Sequence, residues 1–326
     1  MTASSLTESA SRDGLQPVDF SRHLGGLADL IELCFADDMD AGGLSTIREM
    51  RFLNALGPVL RLLMPLGFSH ALWNLGFVWM ESGRVIGSVS TQRAAARSRA
   101  WLVANVAVHP DYRRRGIAFA LMQATLELIR SRRGAEAILQ VDDDNHGAIE
   151  LYRRLGFAHM MTQTAWRRLA RLETPPHQPA PMDIRLRARG EWADQLTLAA
   201  LVRPHGLAWN RPLRPEDFAP GLWTRLDRFL AGQGEEHWVA EAGRKLVGSL
   251  TVRRNVGDGH QLILLVHPDC RGQLERPLLV RGLRRASPLW PVRVEHPSAD
   301  EAADAVLRDL SFQPVRTLRW MRAEIR

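Results

Sequence analysis

The run Val106-Ala-Val-His-Pro-Asp-Tyr-Arg-Arg-Arg-Gly-Ile-Ala118 sets three arginines and a glycine between an apolar segment and an amphipathic one. A strand ending at Val108, a Pro-containing loop and a helix beginning near Gly116 form an arrangement suited to pyrophosphate. The first turn of a helix has free backbone N–H groups and a partial positive charge, glycine lets a ligand approach the backbone, and arginine adds formal charge. The Walker pattern G-x-x-x-x-G-K-[ST] and the dinucleotide pattern G-x-G-x-x-G are both absent. A second group follows about thirty residues on. Asn145 and Tyr152 are seven residues apart, two helical turns, and so share a helix face. Tyr152 is one of only two tyrosines, and a phenol there can donate a proton to a leaving group.

Periodicity supplies the elements that must position these residues. Phe77 to Met80, a turn at Ser82-Gly83 and Val85 to Thr91 read as a hairpin. Trp101 to Val108 reads as a strand. Ile117, Leu121, Ala124 and Leu128 step by 4, 3 and 4, one face of a helix. Ala137 to Val141 reads as a strand, and Ala148, Leu151 and Leu155 mark a helix stopped by Gly156. Upstream, Leu24, Leu27, Ile31 and Cys34 predict an earlier helix.

The pattern occurs twice. Glu81 to Ser88 resembles Glu241 to Ser249 with one residue inserted, Val108 to Arg113 resembles Val266 to Arg271, and Leu151 to Phe157 resembles Val306 to Phe312. Three matches in the same order predict a duplicated domain. Four prolines between Pro175 and Pro181 predict a semi-rigid linker. The expected organisation is a disordered tail over 1–14, a domain over 15–172, a linker over 173–182 and a second domain over 183–326.

Arg113-x-x-Gly116-x-Ala118 after a strand ending in Val-His-Pro resembles the acetyl-CoA motif of GNAT-type N-acetyltransferases. Asn145-x-x-Ala148-x-x-x-Tyr152-x-x-x-Gly156-Phe157 resembles that superfamily's second signature. The matching stretch covers about Phe77 to Met161. The resemblance implies an α+β fold of the three-layer GNAT type, in two tandem GNAT-like domains, each with a mixed central sheet flanked by helices. It implies acetyl-CoA as cosubstrate and a primary amine, of a small molecule or a peptide, as acceptor. Val106, Ala107 and Val108 would pair with the pantetheine arm. Arg113, Arg114, Arg115, Gly116, Ile117, Ala118 and Phe119 would hold the pyrophosphate, Asn145 would contact the cofactor's arm, and Tyr152 would be the general acid. A backbone N–H near Val108 would hold the oxyanion. Many relatives carry a Glu five residues before Asn145 as base. Here that residue is Gln140, which leaves Asp142, Asp143 or a backbone-held water. In the second copy Leu274, Arg276, Leu307 and Ser311 stand against Gly116, Ala118, Tyr152 and Gly156, so that copy is expected to be degenerate, with Leu274 crowding the phosphates. The alternative to an enzyme is a non-catalytic acyl-CoA sensor or scaffold.

Composition bounds the other classes. The 326 residues, 45% hydrophobic and 24% charged, exclude bulk disorder and collagen-like repeats. Cys34 and Cys270 alone exclude a disulfide framework and predict no metal cluster, which fits a reducing cytoplasm. All basic residues but Lys245 are arginine, yet the net charge of +7 is spread over both halves without interleaved aromatics, so nucleic acid is not the expected partner. The apolar run Phe52 to Phe68 is broken by Gly57-Pro58, Arg61 and Pro65, too short for a membrane span, and lies where the family's variable acceptor-side helices fall. Asp37, Asp38 and Asp40 read as a solvated acidic loop, with attraction of a cationic amine as the alternative. His109 and its duplicate His267 are expected to be structural. A monomer or homodimer is expected.

Overall fold

The computed structural model describes residues 13–35, 47–48, 50–52, 75–95, 98–176, 179–209, 213–219, 221, 234–255 and 259–326. Residues 1–12, the acidic residues Asp37, Asp38 and Asp40, nearly all of the 52–68 apolar run, and His177 and Gln178 of the linker lie outside them. The chain divides into two compact units that do not follow the linear order of the sequence. The first comprises Met1–Leu139, Glu150–Phe157 and Arg322–Arg326, and the second comprises Gln140–Ile149 and Ala158–Met321.

In the first unit, strands β1 (Gly14–Pro17), β2 (Leu75–Glu81), β3 (Arg84–Arg93), β4 (Ala100–Val108) and β5 (Glu136–Asp142) lie in that order. Neighbours from β1 to β4 are antiparallel. The β4–β5 pair is parallel, with Ala100–Leu102 against Glu136–Ile138. Helix α1 (Phe20–Phe35) buries Leu24, Leu27 and Leu30, and α2 (Ile117–Ser131) buries Ile117, Leu121, Met122, Thr125 and Ile129. The stripe on α2 is centred nearer Met122 and Thr125 than the 117-121-124-128 periodicity predicts. Gly87 on β3 lets α2 sit close to the sheet: a Cβ there would lie 2.9 Å from Ile117 Cγ2 and 3.0 Å from Leu121 Cδ1. Helix α3 (His146–Arg154) follows β5. The C-terminal residues complete this unit, with Ile325 N–H donating to the Ala135 carbonyl (2.9 Å) and Arg130 Nε to the Arg326 carbonyl (2.6 Å).

Where α2 ends, Gly134 N–H donates to the Ile129 carbonyl, and a Cβ on Gly134 would lie 2.4 Å from Ile129 Cγ2 and 2.7 Å from Trp101 Cδ1. The indole is rigid and buried, so Gly134→Ala is expected to cost about 1–3 kcal/mol by overpacking. Thermal unfolding checks this, with a midpoint lowered by several degrees.

The second unit holds the strand order β12 (Gln313–Glu324), β6 (Ala158–Arg168), β11 (Val292–Pro297), β10 (Gly259–Val266), β9 (Lys245–Asn255), β8 (Gly234–Ala242), β7 (Ile184–Leu186). It again contains a three-residue parallel pair, His260–Leu262 against Val292–Val294. Among the described residues its helices are α4 (Trp192–Val202), the single turn Pro215–Phe218, α5 (Glu275–Arg285) and α6 (Glu301–Asp309).

The two copies agree in detail at three places. Gly83 and Gly243 turn the equivalent hairpins at φ +73° and +66°. His109 and His267 each accept the N–H two residues on through Nδ1 (3.3 Å in both), capping the short 3-10 turns Pro110–Tyr112 and Pro268–Cys270. Gly156 and Ser311 are both left-handed (φ +87° and +63°), and Phe157 and Phe312 donate to the Tyr152 and Leu307 carbonyls in matching turns.

The copies disagree at the helix start. Leu274 does not crowd a phosphate site; it is wholly buried, and a Cβ on Gly248 would meet it and Leu278. Gly248 is the partner of Ala240 as Gly87 is of Trp79. By packing, therefore, Leu274 occupies the place of Ile117 and Leu278 that of Leu121. Three residues separate Arg113 from Ile117, but only two separate Arg271 from Leu274. The second copy has lost one residue of the loop, and with it the position of Gly116.

Candidate active site

Strand β4 carries one extra residue opposite β3. Ala107 pairs with Ser88 and Ala104 with Ser90, so Asn105 and Val106 together face Val89. Asn105 is left-handed (φ +52°), its Nδ2 donates to Ser90 Oγ (3.0 Å), and its carbonyl accepts from Ser88 Oγ (3.1 Å). Such a bulge bends a strand and increases its twist. Paired residues of β4 and β5 end at Leu102 and Ile138. Among the described residues, the β5 side of β4 from Val103 to Val108 is therefore without a partner strand, and this stretch includes Val106, Ala107 and Val108. The signal for the bulge was present in the sequence as an asparagine inside an apolar strand, since Asn tolerates the left-handed region.

The loop after β4 reaches α2 through two left-handed residues, Arg114 (φ +65°) and Gly116 (φ +79°). Gly116 precedes the helix without a side-chain cap, and the first helical bond runs from Ala120 N–H to the Gly116 carbonyl. The N–H groups of Ile117, Ala118 and Phe119 therefore have no intrahelical acceptor. A Cβ on Gly116 would meet nothing within 4 Å, so the approach to this helix end is open. Uncapped donors, an open approach and the field of a 15-residue helix suit an anionic group.

The three arginines play different parts. Arg113 turns back and donates through Nε to the Val108 carbonyl (3.2 Å), which also accepts from the Cys34 thiol (3.6 Å). Burial holds that thiol above its ordinary pKa. Arg115 pairs with Glu81 (3.1 Å) and lies over the Tyr112 ring. Arg114 is exposed, with no partner among the described residues. The sequence offered no means of ranking them.

Tyr152 lies in the same unit, 5% exposed, with its ring tilted against Phe157 at 5.9 Å. Burial pushes the phenol above its ordinary pKa, so it stays protonated at neutral pH. Its hydroxyl has no hydrogen-bond partner among the described residues. Nearby, Arg154 lies over the Phe119 ring at 5.6 Å.

Asn145 belongs to the segment Gln140–Ile149, in the second unit. Its Oδ1 accepts from Ala148 N–H (3.1 Å), capping α3. The two carboxylates at the end of β5, Asp142 and Asp143, are committed to arginines of β12. Asp142 receives both Nε (2.5 Å) and Nη2 (2.7 Å) of Arg316, and Asp143 Oδ1 receives Nε (2.8 Å) and Nη2 (2.6 Å) of Arg319. Charge-assisted pairs of this kind hold both oxygens of Asp142 and Oδ1 of Asp143. Among the described residues no group of three or more His, Cys, Asp or Glu is placed to hold a metal, and no helix is long and apolar enough to cross a membrane.

Residues 47–157 match the acetyltransferase (GNAT) family. N-alpha-acetyltransferase 30 of Schizosaccharomyces pombe is 34% identical over 92 residues, 28% of this chain and 61% of that protein. The [Ribosomal protein bS18]-alanine N-acetyltransferase of Escherichia coli K12 is 32% identical over 83 residues, 26% of this chain and 54% of that protein. The chain thus spans under two thirds of the length of each of these relatives. Among solved structures, a GCN5-related N-acetyltransferase from Sphaerobacter thermophilus superposes with a TM-score of 0.62 at 18% identity, covering 96% of both chains. A tandem GNAT protein from the clavulanic acid biosynthesis pathway gives 0.56 at 19%, covering 97% of this chain and 99% of that one. The chain has the fold of a tandem GNAT protein, and its residues 47–157 match the acetyltransferase (GNAT) family.

Proposed function

We propose that the first unit binds acetyl-CoA and transfers its acetyl group to a primary amine, with peptide α-amines as the favoured acceptors. The observation that carries this reading is the open edge of β4 beyond Leu102, bulged at Asn105 and leading directly into the uncapped start of α2. The backbone of Val106 to Val108 on the side away from β3, apart from the Val108 carbonyl that Arg113 and Cys34 hold, suits the amide-bearing pantetheine arm. The N–H groups of Ile117, Ala118 and Phe119, with Arg114, suit the pyrophosphate. Bound acetyl-CoA would supply a thioester carbonyl open to an amine, yielding an amide and free CoA. Tyr152 would hold the proton that the departing sulfur takes up.

The acceptor class follows from the missing base. Gln140 cannot take a proton, and Asp142 and Asp143 are ion-paired. An amine that is already partly neutral suits such a site. The α-amino group has a pKa of about 7.7–8.0 against about 10.4 for lysine. The two relatives described above are named for N-alpha and alanine N-acetylation, in the same direction. Release of CoA thiol is expected with peptides bearing a free N-terminus and not with N-blocked peptides whose only amine is lysine. The reverse preference would overturn the assignment. The second reading, an acyl-CoA sensor, draws on the same ion pairing of Asp142 and Asp143. Acetyl-CoA binding without CoA release on any amine would establish it.

The raised Tyr152 pKa gives a pH expectation. The acid form is the one required, and burial keeps the proton on as pH rises through the ordinary tyrosine range near 10. The pH profile of kcat is expected to show no alkaline loss from this residue up to about pH 10. A fall centred below that, absent in Tyr152→Phe, would contradict it.

A further inference from the structure

In the second unit, strands β10 and β11 part after three paired residues, the last pair being Leu262 with Val294. Between the pairs Ile263–Thr251 and Leu265–Ser249, β10 has one residue, Leu264. The equivalent stretch of β4, between Ala104–Ser90 and Ala107–Ser88, has two, Asn105 and Val106. The second copy has therefore lost the bulge as well as the loop residue, and Leu264 stands in the place of the bulged pair. The gap beyond Leu262 and Val294 is filled by Arg203, which follows α4 directly and is 2% exposed. Its Nη2 reaches the Leu264 carbonyl of β10 (3.4 Å), the Glu295 carbonyl of β11 (3.3 Å) and His296 Nδ1 (3.0 Å). A guanidinium only donates, so His296 accepts at Nδ1 and donates from Nε2 to Asp300 Oδ2 (2.9 Å). Asp300 Oδ1 accepts from Ala303 N–H (3.2 Å) and caps α6, as Asn145 caps α3. Burial lowers the Arg203 pKa to about 10 and that of His296 to about 4, so at neutral pH a cation, a neutral imidazole and a carboxylate stand in a row.

We infer that Arg203 is a built-in occupant of the fork between β10 and β11: its guanidinium takes the two carbonyls and the imidazole that the N–H groups of a bound molecule would otherwise meet, and the fork emptied of it is a binding site for a guanidinium ion. The three acceptors come from both strands and from the row that ends at the α6 cap, so they stay in place when the side chain is shortened. The second copy is thus closed to a ligand arm by occupancy, in addition to its shortened loop. A buried cation whose acceptors are fixed in this way is strongly missed when it is removed. The inference rests on the second unit alone and is independent of the activity proposed for the first.

Thermal unfolding of the full chain tests it, with Arg203→Ala as the variant and N-methylguanidinium as the probe. Arg203→Ala is expected to unfold about 5–15 °C below the parent, because His296 and two carbonyls are left buried without their donor. N-methylguanidinium at about 10 mM is expected to restore at least about half of that loss, saturably, as a ligand of the folded state does. Methylammonium, a cation without the planar fork, is expected to restore little at the same concentration, and neither salt to shift the parent. If Arg203→Ala does not fold by itself, its refolding yield with and without N-methylguanidinium decides. A midpoint within about 2 °C of the parent, or recovery by N-methylguanidinium no greater than by methylammonium, would overturn the inference.

Discussion

Tyr152→Phe is expected to lower kcat by about 10²- to 10⁴-fold, the range typical of a positioned proton donor, while acetyl-CoA affinity stays near that of the parent. The ring is the part that packs, against Phe157 at 5.9 Å, and phenylalanine keeps it. The hydroxyl has no partner among the described residues, so its removal leaves no protein group unsatisfied there. Stability is therefore expected to change little, and circular dichroism with thermal unfolding checks this beside the kinetics. Turnover near the parental value with an established acceptor would make Tyr152 a core residue. Loss of binding together with turnover would make its role structural.

Substitution of Gly116 is expected to act on the other half of the reaction. At φ +79° a leucine costs about 1–2 kcal/mol of backbone strain, which a folded unit can absorb. The larger effect is on the ligand. Since no described residue beyond its chain neighbours lies within 4 Å of the Cβ position, a side chain there projects into the approach to the N–H groups of Ile117, Ala118 and Phe119. Acetyl-CoA affinity is expected to fall at least about tenfold. Gly116→Asn separates obstruction from strain, because asparagine visits the left-handed region readily. Loss of affinity in both variants, measured by calorimetry, indicates obstruction; loss in the leucine variant alone indicates backbone distortion.

The elements around the site were legible because their patterns are local. The turn at Ser82-Gly83 and the apolar run that marked β3 and β4, the 3.6-residue stripe of α2 and the left-handed stop at Gly156 each need only neighbouring residues. The loss of one loop residue in the second copy was not legible. The His109 and His267 caps align at one offset and the helix packing at another, and only the contact of Leu274 with Gly248 shows where the frame changes. Nor could the sequence assign the arginines. Arg113, Arg114 and Arg115 are chemically alike, and their different fates depend on Val108, open solvent and Glu81. The pairing of Asp142 and Asp143 with Arg316 and Arg319 joins residues more than 170 positions apart, and charge pattern alone does not choose such partners.

The last strand has a consequence for how the protein is made. The first unit contains Gly14 and also Arg322–Arg326, so a ribosome must deliver the whole second unit before the first can close. Until then Ala135 lacks the N–H of Ile325 that it accepts in the finished fold, and the β5 edge waits exposed, a condition that favours wrong pairing between nascent chains. Long-range closure of this kind slows folding. A gene cut at residue 172 would encode the acetyl-CoA motifs without the segment that finishes their sheet.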